Sequence, residues 1–335
     1  MFRPIYNWPI SNLITKQMQL YHRTFLTFLF SQLFILKTKS QKLLVTDVII
    51  IGTKHTPSPT YNSDSLFKVV ANLKPDVILV EQDSVSSTFK SGVFKPFPVW
   101  VMSLRRTFGW SKRDVEYNFL HKYYHDFPKV IIKPMDVAFN GTDRKKYIDE
   151  YLQLEEDLEV AISEAYDRKE MSDYQSNVHL TRKKVEAFAA ARFYGLLQDI
   201  NADSTTEAIR QLEMLENVHF KALVDSVHSL QRFSCRIYEH FRKSEHRNDV
   251  MVQQILRYTN EYRGKRIVVV VGALHRYYQL DKLAPKRDQY NFRLLDINGE
   301  EMTFPSQISP WIMIGMHTTS VAVAQLSQKN FTTVL

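Results

Sequence analysis

The sequence predicts an α/β fold in which helices flank a central, mostly parallel β-sheet. Short apolar runs alternate with helical patterns on either side of a long, almost glycine-free stretch, at about residues 143–263, that shows helical spacing only. Such unbroken apolar runs are typical of strands buried on both faces. Two of the runs, far apart in the chain, end in the same pattern, Gly-x-x-His.

Composition and charge narrow the class of protein. With 335 residues, 44% of them hydrophobic, the chain can bury a sizeable core, and one large domain with an insertion is the simplest arrangement. The net charge is +8, but 36 acidic residues are interspersed with 44 basic ones, so no nucleic-acid partner is expected. Cys235 is the single cysteine, which excludes an intrachain disulfide and a zinc site of several cysteines.

The first segment, residues 1–44, is basic and contains no acidic residue. Its apolar run is interrupted and too short for a comfortable spanning helix, which needs about 20 residues. This pattern predicts a targeting segment, for mitochondria or another organelle, or a membrane-associated one; an amphipathic helix packed on the domain is the alternative. The main domain is predicted at residues 45–310 and an apolar tail at 311–335.

The domain is predicted to begin with a strand, a helix and a second strand. The first apolar run leads to Gly52, which is interpreted as permitting a tight turn, and then to His55. Asn62 is a candidate helix cap, and the second run ends at Glu81. Because parallel strands joined in this way are expected to end beside one another, His55 and Glu81 should share one rim of the sheet, where open α/β sheets bind ligands.

The later elements complete the predicted sheet. The aromatic and basic stretch 84–128 is interpreted as a loop-rich cover with a helical core, rather than as a base-stacking surface. A third strand leads to Asp136, which is either a second carboxylate of the site or a helix cap. After the helical insertion, a strand ends in Gly272 and His275, and residues 292–295 predict an edge strand.

The residues His55, Glu81 and His275 form the candidate site. Two imidazoles and a carboxylate can ligate a divalent metal and leave positions open for water and substrate. Such a metal acidifies its bound water and polarises a carbonyl, as metal-assisted hydrolysis requires. Without a metal, the same three residues can act as a general base and its orienting groups.

In this order, the motifs resemble those of the TraB/PrgY/Tiki superfamily, which includes erythromycin-esterase-like and ChaN-like proteins. The resemblance rests on residues 52–55, 74–81, 245–251 and 271–275. It implies a sheet built from two related halves around the helical insertion. It also implies a metal-dependent peptidase whose cofactor is Mn, Co or Zn.

The resemblance assigns roles to five residues. It implies that His55, Glu81 and His275 are both catalytic residues and metal ligands. Arg247 is implied as a further catalytic residue and Asn248 as a substrate-binding residue, because they match an Arg-Asn pair before the last motif and can bind substrate or an oxyanion.

The function predicted from these residues is hydrolysis of a peptide or protein segment by a metal-dependent peptidase. The alternative is a non-catalytic regulator, tethering factor or peptide-binding module, attached to a membrane through residues 1–44. A third reading, implied by the ChaN-like branch, is haem or tetrapyrrole binding through a histidine. The chain departs from the superfamily's pattern, since residues 82–87 contain no arginine and no glycine-containing turn follows His275. These departures leave the substrate open.

Overall fold

The computed structural model describes residues 44–82, 84, 89–90, 92–98, 100–101, 104, 115–137 and 141–304. Except for Leu44, the predicted amino-terminal segment lies outside the described residues, as does the whole predicted tail, 311–335. Part of the aromatic stretch 84–128 also lies outside them.

The described residues contain one parallel sheet of five strands and a separate two-stranded antiparallel ribbon. The strands are β1 (Thr46–Thr53), β2 (Val77–Val80), β3 (Phe89–Lys90), β4 (Val93–Phe94), β5 (Ile131–Pro134), β6 (Arg266–Gly272) and β7 (Phe292–Leu295). Strands β3 and β4 form the ribbon. The order in the main sheet is β5-β2-β6-β1-β7, and each neighbouring pair is parallel, which confirms the predicted fold class.

Helices flank the sheet and make up the long insertion between β5 and β6. The helices are α1 (Ser63–Leu73), α2 (Val115–Asp126), α3 (Gly141–Asp167), α4 (Asp173–Phe193), α5 (Leu197–Ile200), α6 (Asp203–Met214), α7 (Lys221–Ser226), α8 (Ser234–Glu261), α9 (Ala273–Leu283) and α10 (Arg287–Tyr290). Helices α3 to α8 form the insertion, close to the predicted boundaries. Within the described residues, no helix combines the length and the apolar character that crossing a membrane requires.

The order of the strands corrects one expectation. Strand β6 lies between β1 and β2, so the two strands joined by α1 are not neighbours. In the same way, β1 lies between β6 and β7, the strands that follow one another in the carboxyl-terminal part. Two strand-helix-strand units therefore interlock, and the two strands that carry the Gly-x-x-His motifs pair directly at the centre of the sheet.

The sheet is covered on both faces, which explains its unbroken apolar runs. Alternate residues of the central strands, such as Ile49 and Val268, pack in a cluster with α1 and α2. Their neighbours Ile50 and Val269 pack on the other face with α8. The helical insertion has a third apolar cluster, built from α3, α4, α7 and α8. The insertion thus has its own core, and it also supplies α8 to one face of the sheet and residues of α5 and α6 to the cluster on the other face.

Helix α1 begins at the capping residue that the sequence predicts. Asn62 is its N-cap, and its Oδ1 accepts hydrogen bonds from the backbone N–H groups of Asp64 at 2.9 Å and Ser65 at 3.0 Å. Lys74 ends the helix in a left-handed conformation with φ of 51°. The chain then enters β2, which delivers Glu81 to the carboxyl end of the sheet.

Candidate functional site

The two Gly-x-x-His motifs meet at the carboxyl end of the sheet. Strands β1 and β6 pair so that Thr53 lies opposite Gly272. A methyl group on the Cα of Gly272 would lie 3.1 Å from Glu81 Oε2, 3.3 Å from His55 Nε2 and 3.5 Å from His275 Cδ2. The three residues expected to share a site therefore surround one point.

The glycines of the two motifs are needed for close approach and not for a turn. At Gly272 the chain passes directly from β6 into α9, but its φ of −53° and ψ of 136° are open to other residues, so this turn does not need glycine. Gly52 lies within β1, so the tight turn expected there is not formed. Gly52 is likewise not among the glycines with positive φ, and a Cβ on it would lie 3.1 Å from Ala273 Cα and 3.2 Å from Arg276 Cδ. A side chain at either position would crowd the site or the helix behind it.

The substitution Gly272→Ala is expected to lower the free energy of unfolding by about 1–3 kcal/mol, as overpacking does in a tight site. The new methyl group meets Glu81, which cannot easily yield because Gly272 and Arg247 bind its two oxygens. Urea denaturation measures the loss. Gly52→Ala is the matched comparison, since it crowds Ala273 and Arg276 and leaves Glu81 untouched. Unchanged stability in Gly272→Ala would contradict the close approach.

Arg247, on α8, is the centre of the polar network. Its Nε and Nη2 donate to the two oxygens of Asp136 at 2.9 and 2.7 Å, a bidentate arrangement. Nη2 also donates to Glu81 Oε1, and Nη1 lies 3.1 Å from His275 Nε2. The Asp136 side chain is only 1% exposed. Of the two roles considered for Asp136, the structure therefore supports the second carboxylate of the site and not the helix cap.

The environment of Glu81 keeps its carboxyl ionised. Burial favours the neutral form, but His275, Arg247, His55 and the Gly272 N–H outweigh burial and lower the pKa of Glu81 to about 2. The Gly272 N–H donates to Oε2 at 2.5 Å. Burial also lowers the pKa of His275, so this imidazole is neutral at pH 7 and Arg247 is the main source of positive charge.

Consecutive residues of α8 hold both nitrogens of the His275 ring. Asn248 Oδ1 lies 2.6 Å from His275 Nδ1, and since an amide oxygen only accepts, Nδ1 carries the proton. Nε2 then accepts a hydrogen bond from Arg247 Nη1. Asn248 is buried behind His275. Through this contact Asn248 orients the His275 ring, and its role as a substrate-binding residue stays a prediction.

His55 has a partner that the sequence did not reveal. Its Nδ1 lies 3.2 Å from Glu116 Oε1, at the start of α2, and the backbone N–H of Val115 donates to the carbonyl of His55 at 3.2 Å. Because a carboxylate only accepts, Nδ1 carries the proton and Nε2 is the basic nitrogen. The side chain of His55 is 64% exposed. Glu116 lies in the aromatic stretch, where no motif distinguishes it from other acidic residues.

The same contacts test whether the site suits a divalent metal. In the described part of the chain, no group of three or more His, Cys, Asp or Glu residues is arranged to hold one. The lone pair of His275 Nε2 faces Arg247, and both oxygens of Glu81 accept hydrogen bonds from protein groups. Arranged in this way, His275 and Glu81 do not fit a metal ion, because Arg247 and the Gly272 N–H bind the nitrogen and oxygen atoms that would have to ligate Mn, Co or Zn. The metal stays a prediction.

Comparison with known proteins finds no matching family model, curated protein or solved structure. The resemblance to the TraB/PrgY/Tiki superfamily therefore stays a prediction. The roles argued below rest on the geometry of the site.

Proposed function

We propose that this protein is a hydrolase that cleaves a peptide or protein segment, with His55 as the general base. The observation that carries the proposal is the pair His55–Glu116, whose basic Nε2 lies against Glu81 and the Arg247 network beside Gly272. An exposed imidazole that a carboxylate orients can act as a general base and activate a water molecule to attack a carbonyl carbon. A fixed positive charge beside it can stabilise the oxyanion that forms.

The proposed reaction uses His55 twice. Nε2 takes a proton from water while the water oxygen forms a bond to the carbonyl carbon of the substrate. Glu116 accepts the hydrogen bond from Nδ1 and stabilises the imidazolium that results. The bond from the carbonyl carbon to the leaving group then breaks, and the imidazolium returns its proton to the leaving nitrogen or oxygen.

Arg247 supplies the positive charge for the oxyanion. A guanidinium has five N–H donors, and four of them bind Asp136, Glu81 and His275. The remaining donor, on Nη1, is available to an oxygen of the substrate. Because the other four contacts hold the guanidinium in place, little reorganisation is needed when negative charge develops.

The charges at the site favour a neutral or basic substrate over an acidic one. Three carboxylates, Glu81, Asp136 and Glu116, accompany one guanidinium, so negative charges outnumber positive ones among these four groups. An anionic group close to the site would be repelled. A peptide segment with neutral or basic side chains therefore fits the site better than a phosphorylated or acidic segment.

The proposal is tested by hydrolysis of a library of fluorogenic peptides by the full chain, with and without a chelator. We expect activity to persist in the chelator, and Glu116→Gln to lower kcat/KM by about tenfold or more, because the imidazolium loses its partner. Glu300→Gln, at an exposed glutamate after β7, is the control. No cleavage of any peptide, with or without added metal, would refute the proposal. Activity lost in chelator and restored by Mn, Co or Zn would support the metal-dependent prediction instead.

The alternative of a non-catalytic, membrane-attached regulator depends on residues 1–44, of which the structure describes only Leu44. The described contacts offer no observation that favours it.

A further inference from the structure

Strand β1 is longer than its neighbour β7. Strand β7 pairs with β1 only from Thr46 to Ile49. Among the described residues, no strand pairs on that side with the rest of β1, which leads to His55, although Gly52 and Thr53 are buried. Buried backbone N–H and C=O groups require partners, so side chains have to supply them here.

Asn201, which follows α5 in the helical insertion, supplies two of these partners. Its Oδ1 accepts a hydrogen bond from the Gly52 N–H at 2.7 Å, and its Nδ2 donates to the Gly52 carbonyl at 2.9 Å. Nδ2 also donates to the Leu197 carbonyl at 2.9 Å, and the residue is only 5% exposed. One side-chain amide thus pairs with Gly52 as a neighbouring strand would, three positions before His55.

Arg276 supplies the next contact along β1. Its Nε donates to the Ile50 carbonyl at 3.1 Å, and its Nη1 donates to the hydroxyl of Thr206 on α6. Arg276 is 3% exposed, and both of these contacts are with neutral oxygen atoms. Burial lowers the pKa of Arg276 to about 10 although the negative charges of Asp203 and Asp296 raise it, so the side chain is still charged at pH 7. A buried cation held by neutral groups is costly, and this one directly follows His275.

These contacts join both motifs to the helical insertion. Asn201 holds the backbone that leads to His55, and Arg276 ties the helix that carries His275 both to β1 and to Thr206. We propose that Asn201 and Arg276 are positioning residues that set the spacing between His55 and His275. The expected effect of these residues on kcat rests on the proposed hydrolase function. Their expected effect on the positions of the two histidines rests on the contacts alone.

Substituting Asn201→Asp tests the proposal with little change of shape. The carboxylate still accepts from the Gly52 N–H, but an oxygen now faces the Gly52 and Leu197 carbonyls, which repel it. We expect the ¹⁵N chemical shifts and the titration midpoint of His55 to change, and kcat to fall by about tenfold or more with KM little changed, because small misplacements of a catalytic group are costly. Asn260→Asp, at an exposed asparagine near the end of α8, is the matched control.

A milder variant, Thr206→Val, removes the acceptor for Arg276 together with the local hydrogen bond from the Thr206 hydroxyl to the Ala202 carbonyl, and it covers the case in which Asn201→Asp does not fold. In Thr206→Val we expect the His275 signals to move more than those of His55. Lower stability with unchanged histidine spectra and unchanged kcat in both variants would make the contacts merely structural and overturn the proposal. The spectra are informative even if the protein cleaves no peptide, so the failure of this inference is distinguishable from the failure of the proposed function.

Discussion

Replacing Arg247 with methionine is expected to lower the free energy of unfolding by about 3–5 kcal/mol at neutral pH, the usual cost of removing one partner of a buried ion pair. The reason is that Glu81 and Asp136, with side chains 8% and 1% exposed, share this guanidinium. Without it, two ionised carboxylates would lie close together in a buried site. Urea denaturation at pH 7 measures the loss.

The loss should depend on pH in a defined direction. In the native protein the pKa of Glu81 is about 2, below its ordinary value of 4.5. The stability from this shift is therefore fully present above pH 4.5 and is lost as pH falls toward 2. In Arg247→Met the carboxylate of Glu81 is buried without its cation, so the pKa of Glu81 rises and acidification relieves the destabilisation. The gap in stability between native protein and variant should therefore shrink as pH falls below the raised pKa of Glu81 in the variant, and it should continue to shrink toward pH 2.

Two further variants separate charge from geometry at this site. Arg247→Lys keeps the charge without the planar fork and should recover only part of the stability. Arg247→Met combined with Glu81→Gln and Asp136→Asn removes the unpaired charges and should also recover part of it. A loss below about 1 kcal/mol for Arg247→Met at pH 7 would show that solvent already neutralises the two carboxylates and would contradict the network.

Substituting His55→Gln is expected to lower kcat/KM by about 10²- to 10⁴-fold, the usual contribution of a general base. Stability should change by less than about 0.5 kcal/mol, because substitutions at exposed positions seldom do more. The side chain of His55 is 64% exposed, and it is paired with Glu116. Steady-state kinetics on a peptide that the native chain cleaves measures kcat/KM. Urea denaturation measures the free energy of unfolding.

The control for His55 is an exposed histidine outside the site. His125, at the end of α2, is exposed, and His125→Gln should leave both kinetics and stability unchanged. Comparable activity in native protein and His55→Gln would remove His55 from the reaction. A large loss of stability in His55→Gln would instead show that its contact with Glu116 supports the fold.

The sequence alone was sufficient to predict the fold class and to place three site residues at one edge of the sheet. Unbroken apolar runs such as 267–271 can satisfy their backbone groups only in a sheet covered on both faces, and a parallel sheet brings the carboxyl ends of its strands to one edge. His55, Glu81 and His275 each follow such a run, so the sequence places all three at the same edge of the sheet. They meet near Gly272 because β2, β6 and β1 are consecutive strands, and the incorrect expectation that β1 and β2 are neighbours left the site intact because only β6 lies between them.

The order of the strands and the partners of the site residues were decided by the tertiary structure alone. Apolar periodicity records which residues are buried, but the runs in β2 and β6 are nearly equivalent, and either could pair with β1. Polar partners carry no periodic signal. Glu116, Asp136 and Asn201 reach His55, Arg247 and Gly52 across 61, 111 and 149 positions of the chain, because separate helices and strands dock at one end of the sheet. A hydrogen bond forms only at a suitable distance and angle between donor and acceptor. Here the packing of elements that are distant in the chain determines both the distance and the angle.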